Sequence, residues 1–366
     1  MMQALLERMV NRCMEIQQIP APTFHEKERA AYVFDRFQDE KNVSTEWDTA
    51  GNVLACLKGT AASSSPILVS AHLDTVFPNG TNLRLTRESD RIFGAGIGDN
   101  AMGVAGLFGL LWSLSTNGIR LKSDLFLIAN VCEEGLGDLK GMRAVVKRFG
   151  GHPKAYIVLE GLALGHVYNR ALGVRRYLIA IHTGGGHSWT DYGQPSAVHE
   201  LANLTSKITA LTMPTGSRTS LNVGKISGGT SVNTIAAEAD MELDLRSENP
   251  MALEIIIQKV EQIVDSFKQP GVDVRLEEIS QRPFGKMDAN HPLVQTAQAC
   301  LVEQNIRPIL NIGSTDANLP ISLGYPAVTI GLSHGGGAHT VHEYLYTEPL
   351  QRGLEQLVQL VTKISA

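Results

Sequence analysis

The sequence predicts an α/β protein: a catalytic domain with a central mixed, mostly parallel sheet flanked by helices, and an inserted α+β domain of four antiparallel strands and two helices. Two textures carry this expectation. The runs "PILVSA" (66–71), "DLFLIANV" (124–131), "AYIVLE" (155–160) and "PAVTIGL" (326–332) are apolar without alternation, as suits strands covered on both faces. From about residue 170 the pattern alternates instead, as half-exposed antiparallel strands do.

Taken in order, the first 36 residues read as a helix interrupted at "IPAPT" and a second helix from about Glu26. "NAMGVAGLFGLLWSL" (100–114) has helical periodicity and supplies a helix that covers the sheet. In the inserted domain the strands are "VRRYLIAIHTG", "TSLNVGKISGG", "TIAAEADMELDLRS" and "VDVRLEEIS". Within "MELDLR", Met241, Leu243 and Leu245 share one face while Glu242, Asp244 and Arg246 share the other. Two amphipathic helices are expected near 196–211 and 250–268, the second capped by Asn249 with Pro250 at its first position. Helices near 291–304 and 347–364 return to the first texture. The expected domains are therefore 1–169 with 286–366, and 170–285.

Composition narrows the function. The 366 residues carry 43% hydrophobic and 19% charged side chains, ordinary for a globular chain with a large core. A net charge of −5 with no basic block argues against nucleic acid as a partner. The start carries charges throughout and reads as no signal peptide. No uninterrupted run of about 18 apolar residues suggests a membrane span. Cys13, Cys56, Cys132 and Cys300 form no CxxC and fit a reducing cytoplasm. Cys132 lies beside two glutamates, so a catalytic thiol stands against the plainer reading of a buried core thiol.

In open α/β sheets, ligands bind beyond the carboxyl ends of the strands. "PILVSA" ends in His72-Leu73-Asp74, "DLFLIANV" runs on to Glu133-Glu134-Gly135, and "AYIVL" ends in Glu160. "PAVTIGL" leads to His334, His339 and His342, and "FGAGIGDNAMG" places Asp99 just before a helix. Singly, each has a structural explanation; Asp99, for example, could be an N-cap. Together they would concentrate uncompensated negative charge, which is costly. No Lys or Arg occurs in these termini, so metal ions are the natural counter-charge. His with Asp or Glu and no Cys suits a catalytic zinc site with a position open for water. Asp74, two residues from His72, could accept the other ring N–H of that imidazole if the strand continues. Three ligating carboxylates and a hydroxide balance two divalent ions. Spacing does not choose among the three C-terminal histidines.

The segments "SAHLDTV", "GAGIGDNAMGVAGL", "CEEG", "LEG", "SGGTSVNTIAAEADMELDLRS", "GSTDANLPISLGYPAVTIG" and "GAHTVHEYL" occur in that order. Together they resemble the two-zinc metallopeptidase family that includes acetylornithine deacetylase, succinyl-diaminopimelate desuccinylase, glutamate carboxypeptidases, aminoacylase and peptidase T. The resemblance covers nearly the whole chain. It implies two Zn²⁺ per subunit, with Co²⁺ or Mn²⁺ as substitutes: His72, Asp99 and Glu160 on one ion, Asp99, Glu134 and His339 on the other. The family's His followed four residues later by Glu selects His339, with Glu343. The resemblance further implies Glu133 as general base, Asp74 as support for His72, and a cis peptide between Asp99 and Asn100. It makes the inserted domain a lid through which a homodimer forms, with His187 of "GGGHSW" steadying an oxyanion. Asn233 and Arg246 match residues that grip a substrate carboxylate, and Ser314, Thr315 and Asp316 match a loop of the substrate pocket.

Two positions depart from the pattern. Ala101 stands where the family often has Lys, and Glu160 stands where aminopeptidase-type members have Asp. Glu at the latter position is commoner in the carboxypeptidase-like and acyl-amino-acid branches, whereas "GSTDAN" and "HTVHEYL" are closer to peptidase T. The expected activity is hydrolysis of an amide bond in a small peptide or N-acyl amino acid in the cytoplasm. The alternatives are a deacylase or desuccinylase without peptidase action, and a metal-binding homologue that has lost catalysis.

Overall fold

The computed structural model of the chain describes residues 2–61 and 64–366. They divide into two compact units, residues 1–171 with 285–366 and residues 172–284.

The first unit is built on a nine-stranded sheet. Its centre, in spatial order, is Leu125–Asn130, Ile67–His72, Ala155–Glu160 and Ala327–Gly331, all parallel. These are the four non-alternating apolar runs, and nearly every residue in them is buried. Antiparallel strands Val43–Trp47 and Val53–Leu57 extend one side. On the other side His166–Ala171 runs antiparallel to Ala327–Gly331 and pairs in parallel with Ile309–Gly313.

Helix Gly103–Thr116 is buried from Gly103 to Leu114, because helices Met2–Gln17 and Leu350–Ser365 pack on it as well as the sheet. Phe108 of this helix stacks on Phe37 at 4.1 Å between ring centroids. The stretch Ile97–Thr116 is the described helix long and apolar enough to cross a membrane, and 94% of its apolar window is buried inside the protein. It is a core helix, apolar all round for that reason. Gly353 lets the last helix close on the segment leading to His339, since a Cβ there would lie 1.9 Å from the Leu332 carbonyl oxygen.

The second unit is a four-stranded antiparallel sheet in the order Thr219–Gly228, Glu238–Ser247, Gly173–Thr183, Val272–Arg282. Helices Ala197–Thr209 and Pro250–Asp265 bury Met241, Leu243 and Leu245 against one face. Asn249 caps the second helix, accepting from Met251 and Ala252 N–H groups.

Candidate metal centre

The four central strands are parallel, so their carboxyl ends lie on one side of the sheet, and each delivers a polar group there. His72 is the last residue of its strand, Glu160 the last of its own, and Glu133 and Glu134 follow Asn130 closely. The segment after Gly331 brings His339. Asp99 does not cap the long helix, which begins at Gly103. It sits in a wider, irregular π-type turn, Ile97–Met102, and its peptide bond to Asn100 is cis.

Two adjacent glutamates on a straight strand would point to opposite faces. Here the backbone turns before the pair as well as after it: Cys132 has φ 58° and Gly135 φ 52°. Asp74 anchors the turn. Its Oδ1 accepts the Glu133 N–H at 2.9 Å and its Oδ2 accepts the Glu134 N–H at 2.8 Å and the Thr23 hydroxyl at 2.9 Å. Asp74 thus does more than support His72. Because the strand stops at His72, the Nδ1–H of His72 donates to the backbone carbonyl of Asp74 at 3.0 Å, while its carboxylate is 3.5 Å away.

Two groups of donors share Asp99. His72 Nε2 lies 3.1 Å from Asp99 Oδ1 and 3.8 Å from Glu160 Oε2. His339 Nε2 lies 3.1 Å from Asp99 Oδ2 and 3.3 Å from Glu134 Oε1. One atom each from His72, Asp99 and Glu134 falls within 4.8 Å of the others. This geometry selects His339 among the three C-terminal histidines. Its backbone has φ 65°, uncommon outside glycine.

The donor set fits a metal ion. With Nδ1–H committed to a carbonyl, a neutral His72 turns the bare lone pair of Nε2 toward carboxylate oxygens, a repulsion that a proton or a metal cation between them relieves. Titration behaviour agrees. Burial opposes charge on His72, yet bonds to Asp74, Asp99 and Glu160 carry its pKa well above the ordinary value. Contacts with Asp99 and Glu134 push His339 up to about 10, and burial pushes Glu160 up to about 7. Burial also acts on Asp99, but bonds from His339 and His72 hold its carboxyl below the usual range.

Several supporting groups escaped the sequence reading. One buried cation does reach the site. Arg29, 1% exposed on helix Lys27–Gln38, donates to the carbonyls of Ile19 and Leu73, the latter at 2.8 Å, between His72 and Asp74. Asn100 brackets Glu160, donating to Leu159 O at 2.8 Å and accepting from Gly161 N–H at 3.0 Å. Glu26 accepts the Cys132 N–H at 3.1 Å. Burial and the charge of Glu26 raise the Cys132 thiol to about 12, which removes it as a nucleophile near neutrality.

In the loop 313–318, Thr315 bonds to Thr329 and Asp316 is fully buried, accepting from Asn130 at 2.7 Å. Ser314 lies half-buried beside them. His187, Asn233 and Arg246 belong to the second unit. Nδ1 of His187 accepts the Trp189 N–H at 3.2 Å, so the neutral ring carries its hydrogen on Nε2 and can donate there. Arg246 Nε donates to Asp244 at 2.7 Å, and Asn233 accepts from the Ser231 hydroxyl at 3.0 Å.

A mixed α/β sheet with imidazoles and carboxylates gathered at its strand ends defines a metal-binding hydrolase. The chain belongs to Peptidase family M20/M25/M40, whose pattern it matches over residues 68–363. It is similar to the uncharacterized protein YqjE of Bacillus subtilis (strain 168), at 25% identity over 378 residues, 97% of this chain and 98% of that one. Aminopeptidase PepT from Bacillus cereus ATCC 10987 shares the fold with TM-score 0.76 and 23% identity, covering 99% of each chain. A tripeptidase from Staphylococcus aureus subsp. aureus Mu50 shares it with TM-score 0.78 and 20% identity, covering 98% of each.

Proposed function

We propose that the chain hydrolyses amide bonds in small peptides at a centre of two zinc ions, one held by His72, Asp99 and Glu160, the other by Asp99, Glu134 and His339. The observation that carries this reading is Asp99, each of whose oxygens lies 3.1 Å from a different imidazole. Zinc ions there would supply Lewis acidity, activating water and polarising the scissile carbonyl. Glu133, held by its backbone beside Glu134, takes a proton from the attacking water and returns it to the leaving amine. The Nε2–H of His187 donates to the developing oxyanion. Arg246 and Asn233 take the substrate carboxylate, and the loop of Ser314, Thr315 and Asp316 borders the pocket. Membership of a peptidase family favours a peptide over an acyl amino acid.

A panel of Ala-Ala-Ala, dipeptides and N-acetyl amino acids tests this on zinc- and cobalt-loaded protein. Tripeptide turnover that a chelator abolishes and thiol alkylation spares is the expected result. Cleavage of the acyl amino acids alone would make the protein a deacylase, and two bound zinc ions with no turnover would make it a silent homologue.

The second unit is the proposed dimer surface. Strand Thr219–Gly228 is an edge strand paired on one side only, and Trp189, Tyr192 and Val232 are exposed. Light scattering is expected to give twice the chain mass; a monomer at micromolar concentration would refute the surface.

A further inference from the structure

Glu343 takes no part in the proposed proton transfers, yet it is a fully buried carboxylate beside the site. Its Oε1 accepts the N–H groups of Gly98 and Asp99, each at 2.7 Å, and its Oε2 accepts that of Gly96 at 3.0 Å. The two segments meet because strands Arg91–Phe93 and Tyr344–Tyr346 pair antiparallel, with Tyr344 opposite Phe93. The Gly94 N–H extends that pairing to the Glu343 carbonyl at 2.9 Å. Beyond it the chain curls around the carboxylate, through Gly96 at φ 73°. At Gly98 a Cβ would lie 2.6 Å from Leu162 Cδ2, so the curl packs closely against that side chain.

Gly96 and Gly98 have no side chains, and between them Ile97 is fully buried in the core. Ile97 anchors the turn by packing, and the carboxylate, an acceptor with two oxygens and no donor of its own, fixes the backbone N–H groups on either side of it. Glu343 also lies four residues from His339 in the same segment. One side chain therefore ties the backbone of Asp99 to the segment that carries His339.

We propose that Glu343 is the positioning residue that sets the Asp99–His339 spacing, so that the second oxygen of Asp99 can serve the ion shared with Glu134. This rests on the two-ion reading above. A neutral amide at 343 offers one acceptor oxygen to three N–H groups and turns an N–H toward the others. The turn is then released while the metal-binding side chains stay intact.

The test compares wild type with Glu343→Gln and Glu343→Asp. Each protein is stripped of metal and titrated with Co²⁺, following ions bound per chain, the visible cobalt spectrum and the melting temperature of the metal-free form. For Glu343→Gln the weaker of the two cobalt affinities should fall tenfold to a hundredfold, the range for groups that orient metal ligands. Its cobalt band should change, with the metal-free melting temperature close to wild type. Glu343→Asp keeps the charge but sets it back by one methylene, and should lose affinity in the same direction; it decides the matter if the glutamine variant does not fold. Wild-type affinities and spectra in both variants would overturn the proposal. So would a loss of binding that only tracks the loss of folded protein. A wild-type chain that binds no cobalt would instead overturn the two-ion reading itself, and the proposal with it.

Discussion

Asp99→Asn is expected to lower bound metal from two ions per chain to fewer than one, and to take peptide hydrolysis to background. Both oxygens of Asp99 are in use, each 3.1 Å from a different imidazole, and both donor groups lose their shared anion together. Asparagine keeps the volume but offers one oxygen, and turns an N–H₂ donor toward the other group. The hydrogen bonds of Asn100 to the end of the neighbouring strand do not involve the Asp99 side chain. The fold should therefore survive. Metal analysis and circular dichroism on one preparation check this. Two ions still bound to the variant would remove Asp99 as a bridge.

Glu133→Gln should separate catalysis from metal binding. The turnover number is expected to fall about 10³-fold, inside the range of about 10² to 10⁴ typical of a positioned acid–base group. That equals roughly 4 kcal/mol of barrier at 25 °C. Metal content should stay at the wild-type value, because the backbone N–H groups of residues 133 and 134 still bond to Asp74 at 2.9 and 2.8 Å. Glu134→Ala should behave in the opposite sense and lose metal, as its Oε1 lies 3.3 Å from His339 Nε2. A Glu133→Gln enzyme with wild-type turnover would dismiss the general base, and one that loses metal would make Glu133 a ligand.

Why some of this was legible and some not follows from distance along the chain. Strands covered on both faces must be apolar throughout, so Ile67–His72, Leu125–Asn130, Ala155–Glu160 and Ala327–Gly331 stand out unaided. A polar residue at the end of such a run is a local signal, and His72 and Glu160 lie at those ends. Asp74 is a case where local reasoning stopped short. Spacing suggested a carboxylate beside His72, and it lies 3.5 Å from Nδ1, but nothing local showed that the same carboxylate also holds two N–H groups about sixty residues away. Arg29 was invisible for the same reason: a single arginine in an amphipathic helix reads as surface until the packing turns it inward.

By itself, then, the sequence left strands Val43–Trp47 and Val53–Leu57 and helix Lys140–Phe149 unread. It determined the fold class, the four central strands, the main strands and helices of the second unit within a few residues, and which strand ends carry imidazole or carboxylate. These follow from side-chain polarity at spacings of two to four residues, which the backbone repeats impose locally. Spacing left three histidines open, the family resemblance selected His339, and the structure places it against Asp99. Only the tertiary structure decided how the chain turns at Cys132 so that adjacent glutamates part, and how Glu343 grips a turn some 245 residues earlier. Those outcomes rest on hydrogen bonds between segments far apart in the chain, whose geometry exists only once the core has closed around them.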